Sequence, residues 1–159
     1  MKSISLDIRH AEYFAGTEKL KALDGEAAEA IYKVENGTAP GSDFLGWVKL
    51  PAEVPAEEIA AINKCAERLR EKCDYVVCVG IGGSFLGAKA VNTALADCFA
   101  DFYAPRPKRP HVLYAGQNIG EEYMAELQKL LTGKRFGIIV ISKSGTTTET
   151  SLAFRVLRK

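Results

Sequence analysis

The sequence contains no C-x-x-C pair, so its four cysteines, Cys65, Cys73, Cys78 and Cys98, give no support to a zinc or redox motif. Cys78 lies in an apolar run and Cys65 on a candidate helix. All four are expected to be reduced thiols, mostly in the core. Histidine is almost absent. Only His10 and His111 occur; His10 precedes a candidate helix, His111 opens a candidate strand, and each is expected to be structural or solvated. No metal site and no cofactor are expected. Met1 to Arg9 lacks the apolar stretch of a signal peptide, and no run approaches the ~20 apolar residues of a membrane-spanning helix. A cytoplasmic protein with no membrane partner is therefore expected. A charge imbalance is also missing, with 21 basic and 20 acidic residues for a net charge of +1. Bulk electrostatics thus point to no nucleic-acid partner. The longest basic cluster, Arg106-Pro107-Lys108-Arg109-Pro110, reads as a solvated loop. No internal repeat or low-complexity tract is present.

What is present is an ordinary globular chain of 159 residues, 47% hydrophobic. A chain of this length buries roughly two-thirds of its unfolded surface, enough for a core without staples. The first part reads as helical. Glu12 to Leu23 is a short candidate helix weakened by Gly16. Gly25 to Val34 is a second, with Ala27, Ala30, Ile31 and Val34 at helical spacing and Asn36-Gly37 as its stop. Gly37, Pro40, Gly41, Gly46, Pro51 and Pro55 suggest irregular chain with one extended piece, Phe44 to Leu50. Trp47 is expected to be a packing anchor. Pro55 suits the entry to a further helix, because the first turn needs no N–H there. Glu57 and Glu58 favour its positive dipole end. Ile59, Ile62, Ala66 and Leu69 form its apolar stripe.

The second part changes character. Tyr75 to Val79, His111 to Ala115 and Gly137 to Ile141 are continuous apolar runs, each followed by Gly or Ser. Runs without alternation suit strands covered on both faces. Helical segments at Phe85 to Cys98 and Glu121 to Leu131 separate them, and Thr146 to Lys159 follows the third. Strands alternating with helices predict a parallel α/β sheet with right-handed crossovers. Ligands of such sheets bind beyond the carboxyl ends of the strands, here Gly80 to Ser84, Gly116 to Ile119 and Ser142 to Thr147.

Two of these loops carry chemistry. Val79-Gly80-Ile81-Gly82-Gly83-Ser84 follows a strand and opens a helix. Its glycines allow close approach to the main chain, and Ser84 can cap the helix or donate to an anion. It is not a dinucleotide fingerprint, because Phe85 stands where Gly or Ala is required, and no carboxylate follows the next strand, which ends Ala115-Gly116-Gln117-Asn118. Ser142-Lys143-Ser144-Gly145-Thr146-Thr147-Thr148 offers five hydroxyls and one ammonium in seven residues at the start of a helix. Backbone N–H groups there attract a phosphate dianion, and hydroxyls add rotatable donors. The lysine does not lie inside a Walker A glycine frame.

The stretches Val79-Gly80-Ile81-Gly82-Gly83-Ser84-Phe85-Leu86-Gly87-Ala88 and Ile141-Ser142-Lys143-Ser144-Gly145-Thr146-Thr147-Thr148-Glu149 resemble the two signature segments of bacterial glucose-6-phosphate isomerases. Asp43-Phe44-Leu45-Gly46-Trp47 and Ala153-Phe154-Arg155 add to the likeness. The resemblance implies a flavodoxin-like three-layer parallel sheet, the sugar isomerase (SIS) domain, incomplete here. A helical segment at 1–55 would pack on a domain part at 56–159. It also implies a sugar-phosphate ligand whose phosphate is held by Ser142, Lys143, Ser144, Thr146 and Thr147, with Gly83 and Ser84 lining the site. Glu149 would support the helix. The full-length family member would be a glycolytic homodimer.

Isomerisation needs a positioned base, an acid for ring opening and a cation for the developing oxyanion. In the family these groups lie in motifs further along, and this chain has no matching segments, so no catalytic residue is assigned and the chain alone is expected to be inactive. Three strands against about five, in the order 2-1-3-4-5, would leave Gly137 to Ile141 as an open edge. The isolated chain is therefore expected to be marginally stable or oligomeric. Two other readings are a non-catalytic sugar-phosphate sensor and a related isomerase acting on phosphoheptoses or glucosamine phosphate. The balanced charge of the N-terminal ~70 residues disfavours the first, which would carry a basic helix-turn-helix. The form of both loops and the stretch around Trp47 disfavour the second.

Overall fold

Two of the helix ends in the N-terminal part fall on glycines with positive φ, Gly16 and Gly37. The structure, a computed structural model, describes residues 5–103 and 107–158, with Asp101 described by its backbone only. Arg106 of the basic cluster lies outside the described residues. The chain divides into two compact units, Met1–Ala56 and Glu57–Lys159.

In the first unit the single helix expected over Glu12 to Leu23 is two. Helix α1 is Arg9–Ala15 and α2 is Thr17–Ala22, parted by Gly16 at φ 81° and ψ 130°. Helix α3 spans Asp24–Asn36 and ends as expected on Gly37, in the left-handed region at φ 62°. The extended piece expected over Phe44 to Leu50 is not a strand. A 3-10 turn at Ser42–Phe44 leads into helix α4, Gly46–Glu53. Pro51 lies near the end of α4, where its missing N–H removes only one helical bond. Val54, held extended by the following Pro55, stops the helix. None of the residues in these helices is buried. Trp47 is 65% exposed, so it is not the packing anchor expected: the end of α3 shares a cleft with Gly46, Val48, Lys49 and Glu53 of α4, and Trp47 does not line it.

The second unit is a parallel α/β layer. Helix α5 is Ala56–Lys72, followed by β1, Tyr75–Val79; α6, Gly83–Leu95; β2, His111–Ala115; α7, Glu121–Leu131; β3, Phe136–Val140; and α8, Thr148–Leu157. The sheet has three strands in the order β2-β1-β3, all parallel. Tyr75 pairs with His111 on one side and Phe136 on the other, and Val79 with Ala115 and Val140. Strand alternation then sorts the side chains. Val77, Val79 and Ala115 form the core of one face with Leu127 and Leu131 of α7 and Ala153 and Leu157 of α8. The other face takes Val76 and Cys78. Phe85 of α6 packs there on Tyr114, ring centroids 5.9 Å apart. Helix α5 reaches that face at Gly137, where an added Cβ would lie 2.8 Å from Leu69 Cδ2 and 3.1 Å from Cys73 Sγ. Gly137 is thus what lets the helix seat on the strand.

All four cysteines are free, as expected, but they are not mostly core: Cys65 and Cys98 are exposed, Cys73 and Cys78 half-buried. Cys65 lies on α5 and is exposed, since only the part of that helix facing the sheet is shielded, and Cys98 lies in the turn after α6, beyond the sheet's cover. Cover on both faces is also incomplete, since the last two residues of β3 are exposed.

At the amino end of the sheet Arg135 Nη2 donates to Asp74 Oδ1 at 2.7 Å and Nε to Oδ2 at 3.2 Å. This fork holds the Asp74 carboxyl below its ordinary value of 3.8. A lowered carboxyl value stabilises the fold above the unfolded-state value and loses that effect as pH falls through the folded one. Asp74→Asn is therefore expected to melt slightly below the parent at neutral pH. The gap should begin to close near pH 3.8 and vanish below the lowered value. Melting curves of both proteins from pH 7 to pH 2 check this.

Candidate functional site

The crossover through α6 leaves β1 towards β2, and the chain then returns to the far side of β1 to form β3. The loops after β1 and β3 thus leave adjacent strands on opposite sides of a topological switch point, where open α/β sheets place their ligands. The Ile141 N–H donates to the Val79 carbonyl at 2.9 Å, so Ser142 leaves its strand beside Gly80.

In the first loop Gly82 has φ 55° and ψ −127°, a conformation that only glycine takes readily. The turn brings the Phe85 and Leu86 N–H groups to the Gly82 carbonyl at 3.1 and 3.0 Å. Helix α6 begins at Gly83, with Gly82 as its cap and no side-chain capping bond. Ser84 therefore does not cap the helix. It sits inside the first turn, half-buried, beside an exposed Gly83. Gly80 is buried, and a Cβ there would meet the Ser84 carbonyl oxygen at 3.0 Å.

The second loop is organised by its own hydroxyls. Ser142 Oγ accepts the Gly145 N–H at 3.0 Å and lies 3.2 Å from Thr147 Oγ1. Ser144 Oγ accepts both the Thr146 N–H at 3.2 Å and the Thr146 hydroxyl at 3.0 Å. Gly145, at φ 72°, makes the turn possible. Thr147 is the extended residue before α8 and forms no side-chain cap bond, which leaves its hydroxyl on Ser142 and able to turn to a ligand. Ser142 and Thr147 are half-buried, whereas Lys143, Ser144 and Thr146 are exposed. Glu149 lies half-buried in the first turn of α8. Its carboxylate favours the helix dipole there.

The structure thus gathers Ser142, Ser144, Thr146 and Thr147 on one loop, with Lys143 between them, and sets Gly83 and Ser84 in the first turn of α6, after the neighbouring strand. Hydroxyls and helix N-terminal amides in this arrangement can donate to an anion. His111 opens β2 at the opposite end of the sheet, roughly 15 Å away by the rise of a strand, stacked on Tyr75 at 5.7 Å. Burial pushes the Cys78 thiol up, so it is no activated nucleophile. Among the described residues no group of His, Cys, Asp or Glu could hold a metal ion, and no helix is long and apolar enough to cross a membrane.

Behind the site the sequence reading placed Gly116 only as a strand end and missed Thr150. Gly116, buried at φ 80°, touches the neighbouring loops: a Cβ there would lie 3.1 Å from Val79 Cγ1, 3.2 Å from Thr150 Cα and 3.4 Å from the Gly80 nitrogen. Thr150 is 2% exposed, and its hydroxyl has no partner among the described residues. Its signal in the sequence is spacing, since Thr150, Ala153 and Leu157 recur on one helical face.

Fold and loops together define a parallel α/β domain with a hydroxyl-rich cradle at its switch point. The family model of phosphoglucose isomerase matches residues 63–159, and the chain belongs to that family. It is 51% identical over its whole length to the glucose-6-phosphate isomerase of Parabacteroides distasonis, of which it covers 35%. It is 46% identical over 149 residues, 93% of the chain, to that of Streptococcus equi subsp. zooepidemicus, of which it covers 33%. The chain thus spans about a third of these relatives. Among solved structures a hypothetical protein of Thermus thermophilus matches 98% of this chain with a TM-score of 0.66 at 24% identity, covering 34% of that protein. That likeness concerns the fold.

Proposed function

We propose that these residues form the phosphate-binding N-terminal portion of a glucose-6-phosphate isomerase, the enzyme that interconverts glucose 6-phosphate and fructose 6-phosphate. The observation that carries this reading is the Ser142–Thr147 hydroxyl pair, held 3.2 Å apart on the loop after β3, one strand from the glycine loop. In the reading, Ser142, Ser144, Thr146 and Thr147 turn their hydroxyl protons to the phosphate oxygens. Lys143 adds its backbone amide and its charge, and Gly83 and Ser84 close the near side. The dianion sits at the positive end of α8. The base, the ring-opening acid and the cation for the oxyanion come from polypeptide beyond this part, so the portion binds and orients the sugar phosphate but does not turn it over. The whole enzyme works as a homodimer in the cytoplasm.

Calorimetric titration of the 159-residue chain with glucose 6-phosphate, with glucose as control, tests the reading. Heat from the phosphate ester alone is the expected result, together with no conversion to fructose 6-phosphate in a coupled assay. Equal responses to both sugars, or none at millimolar ligand, would count against it.

A further inference from the structure

Among the described residues Thr150 is the one polar residue that is buried, at 2% exposure. It stands third in α8, on the face that Ala153 and Leu157 continue into the core. Packing there asks only for an apolar group, and valine has the same shape. Yet the Thr150 hydroxyl is buried without a partner among the described residues, and so is the side-chain oxygen of Gln117. The Thr150 N–H is left over as well. The first helical bond of α8 comes from Ser151, whose N–H donates to the Thr147 carbonyl at 3.0 Å. Native folds pair nearly all such buried groups, with protein or with ordered water.

The two oxygens belong to segments in contact. A Cβ on Gly116 would lie 3.2 Å from Thr150 Cα, so the α-carbon of Gln117, the next residue, lies within about 9 Å of that of Thr150. A glutamine and a threonine side chain span that distance with one water between their ends. Both oxygens are covered by this chain's own residues, so polypeptide further along does not reach them and a molecule of water's size does. The groups also match one water. An N–H donates to it, a side-chain carbonyl accepts from it, and a hydroxyl does either. A buried water makes about three hydrogen bonds of this kind.

We propose that Thr150 and Gln117 hold an internal water that joins the first turn of α8 to the turn after β2. The joint makes Thr150 a positioning residue of the cradle. Helix α8 starts on Thr147, which forms no side-chain cap bond, so its first turn is oriented by packing and by this link. Thr147 then keeps its 3.2 Å spacing from Ser142, the pair on which the phosphate reading stands. The positioning role rests on that reading; the water site does not.

Two ligand-free measurements on the 159-residue chain test the joint. Water–amide cross-relaxation should show a long-lived water at the Thr150 N–H, lost in Thr150→Val and in Gln117→Leu. Each variant should also melt below the parent by about 4–8 °C. The double variant should melt no lower than the worse single one, and Thr150→Ser should restore the parent's behaviour. Absence of that water, or a Thr150→Val that melts at or above the parent, would overturn the proposal, since loss of an unpaired buried hydroxyl costs the fold nothing. Titration with glucose 6-phosphate reads the positioning role. Binding about 3–10-fold weaker in Thr150→Val, rescued in Thr150→Ser, is expected. Unchanged affinity in Thr150→Val would overturn that role. A parent that binds no glucose 6-phosphate would instead overturn the reading of the cradle, and the water signal and melting shift tell the two failures apart.

Discussion

Gly116→Val should lower the melting temperature of the second unit by roughly 10–20 °C, the largest stability effect of any single substitution considered. Two terms add. At φ 80° a β-branched residue adopts a backbone conformation disfavoured by about 1–2 kcal/mol. Its Cβ would also press on Val79 at 3.1 Å and on the α8 backbone at Thr150 at 3.2 Å. Neither can retreat, since Val79 is 1% exposed and Thr150 sits on the helix that covers the core. Overpacking of this kind costs about 1–3 kcal/mol. For a unit of about 100 residues each kcal/mol moves the midpoint by about 4–8 °C. Gly133→Ala is a suitable control, because Gly133 is also left-handed, at φ 71°, yet has open space around it, so it isolates the backbone term. Differential scanning calorimetry of the three proteins decides. Equal losses in both variants would mean that the contact with α8 contributes nothing.

Ser142→Ala should weaken glucose 6-phosphate binding by about 10–100-fold while leaving the melting temperature within ~2 °C of the parent. A hydrogen bond to a charged group contributes about 1.5–3 kcal/mol, and a factor of ten corresponds to about 1.4 kcal/mol. The hydroxyl also accepts the Gly145 N–H, but that group lies at an exposed turn where water can replace it. Thr147→Ala should act similarly. The double variant should lose less than the product of the two, because the hydroxyls are bonded to each other at 3.2 Å and are not independent. Titration calorimetry of the three variants checks both magnitude and coupling. Unchanged affinity in Ser142→Ala would mean that the hydroxyl only holds the loop's own turn.

The parallel α/β layer was legible because its strands are continuous apolar runs and its loops carry glycine and hydroxyls at their ends. The run at Tyr75 to Val79 matches β1 residue for residue, while β3 begins one residue earlier than its run suggested, at Phe136. The N-terminal unit was harder. Gly and Pro were dense enough over residues 37–55 to suggest irregular chain, yet α4 tolerates Gly46 at its start and Pro51 near its end. Trp47 was misjudged because a large apolar ring signals burial only where an element faces it. The cradle was legible as a list of donors. Which donors hold one another was not, because the Ser142–Thr147 and Ser144–Thr146 pairs depend on the left-handed turn at Gly145.

The sequence by itself determined the alternation of strand and helix, the family and the hydroxyl content of the loop after β3, since each is a property of residue type and spacing along one line. Only the tertiary structure decided that Gly116 packs against Val79, Gly80 and Thr150, that Gly137 seats α5, that Thr150 is buried with a hydroxyl unpartnered among the described residues, and that the Tyr123 hydroxyl donates to the Tyr114 carbonyl at the end of β2. These depend on which peptide groups face which neighbour and on distances between segments far apart in the chain. Strand order and close packing set both, and neither has a local signature.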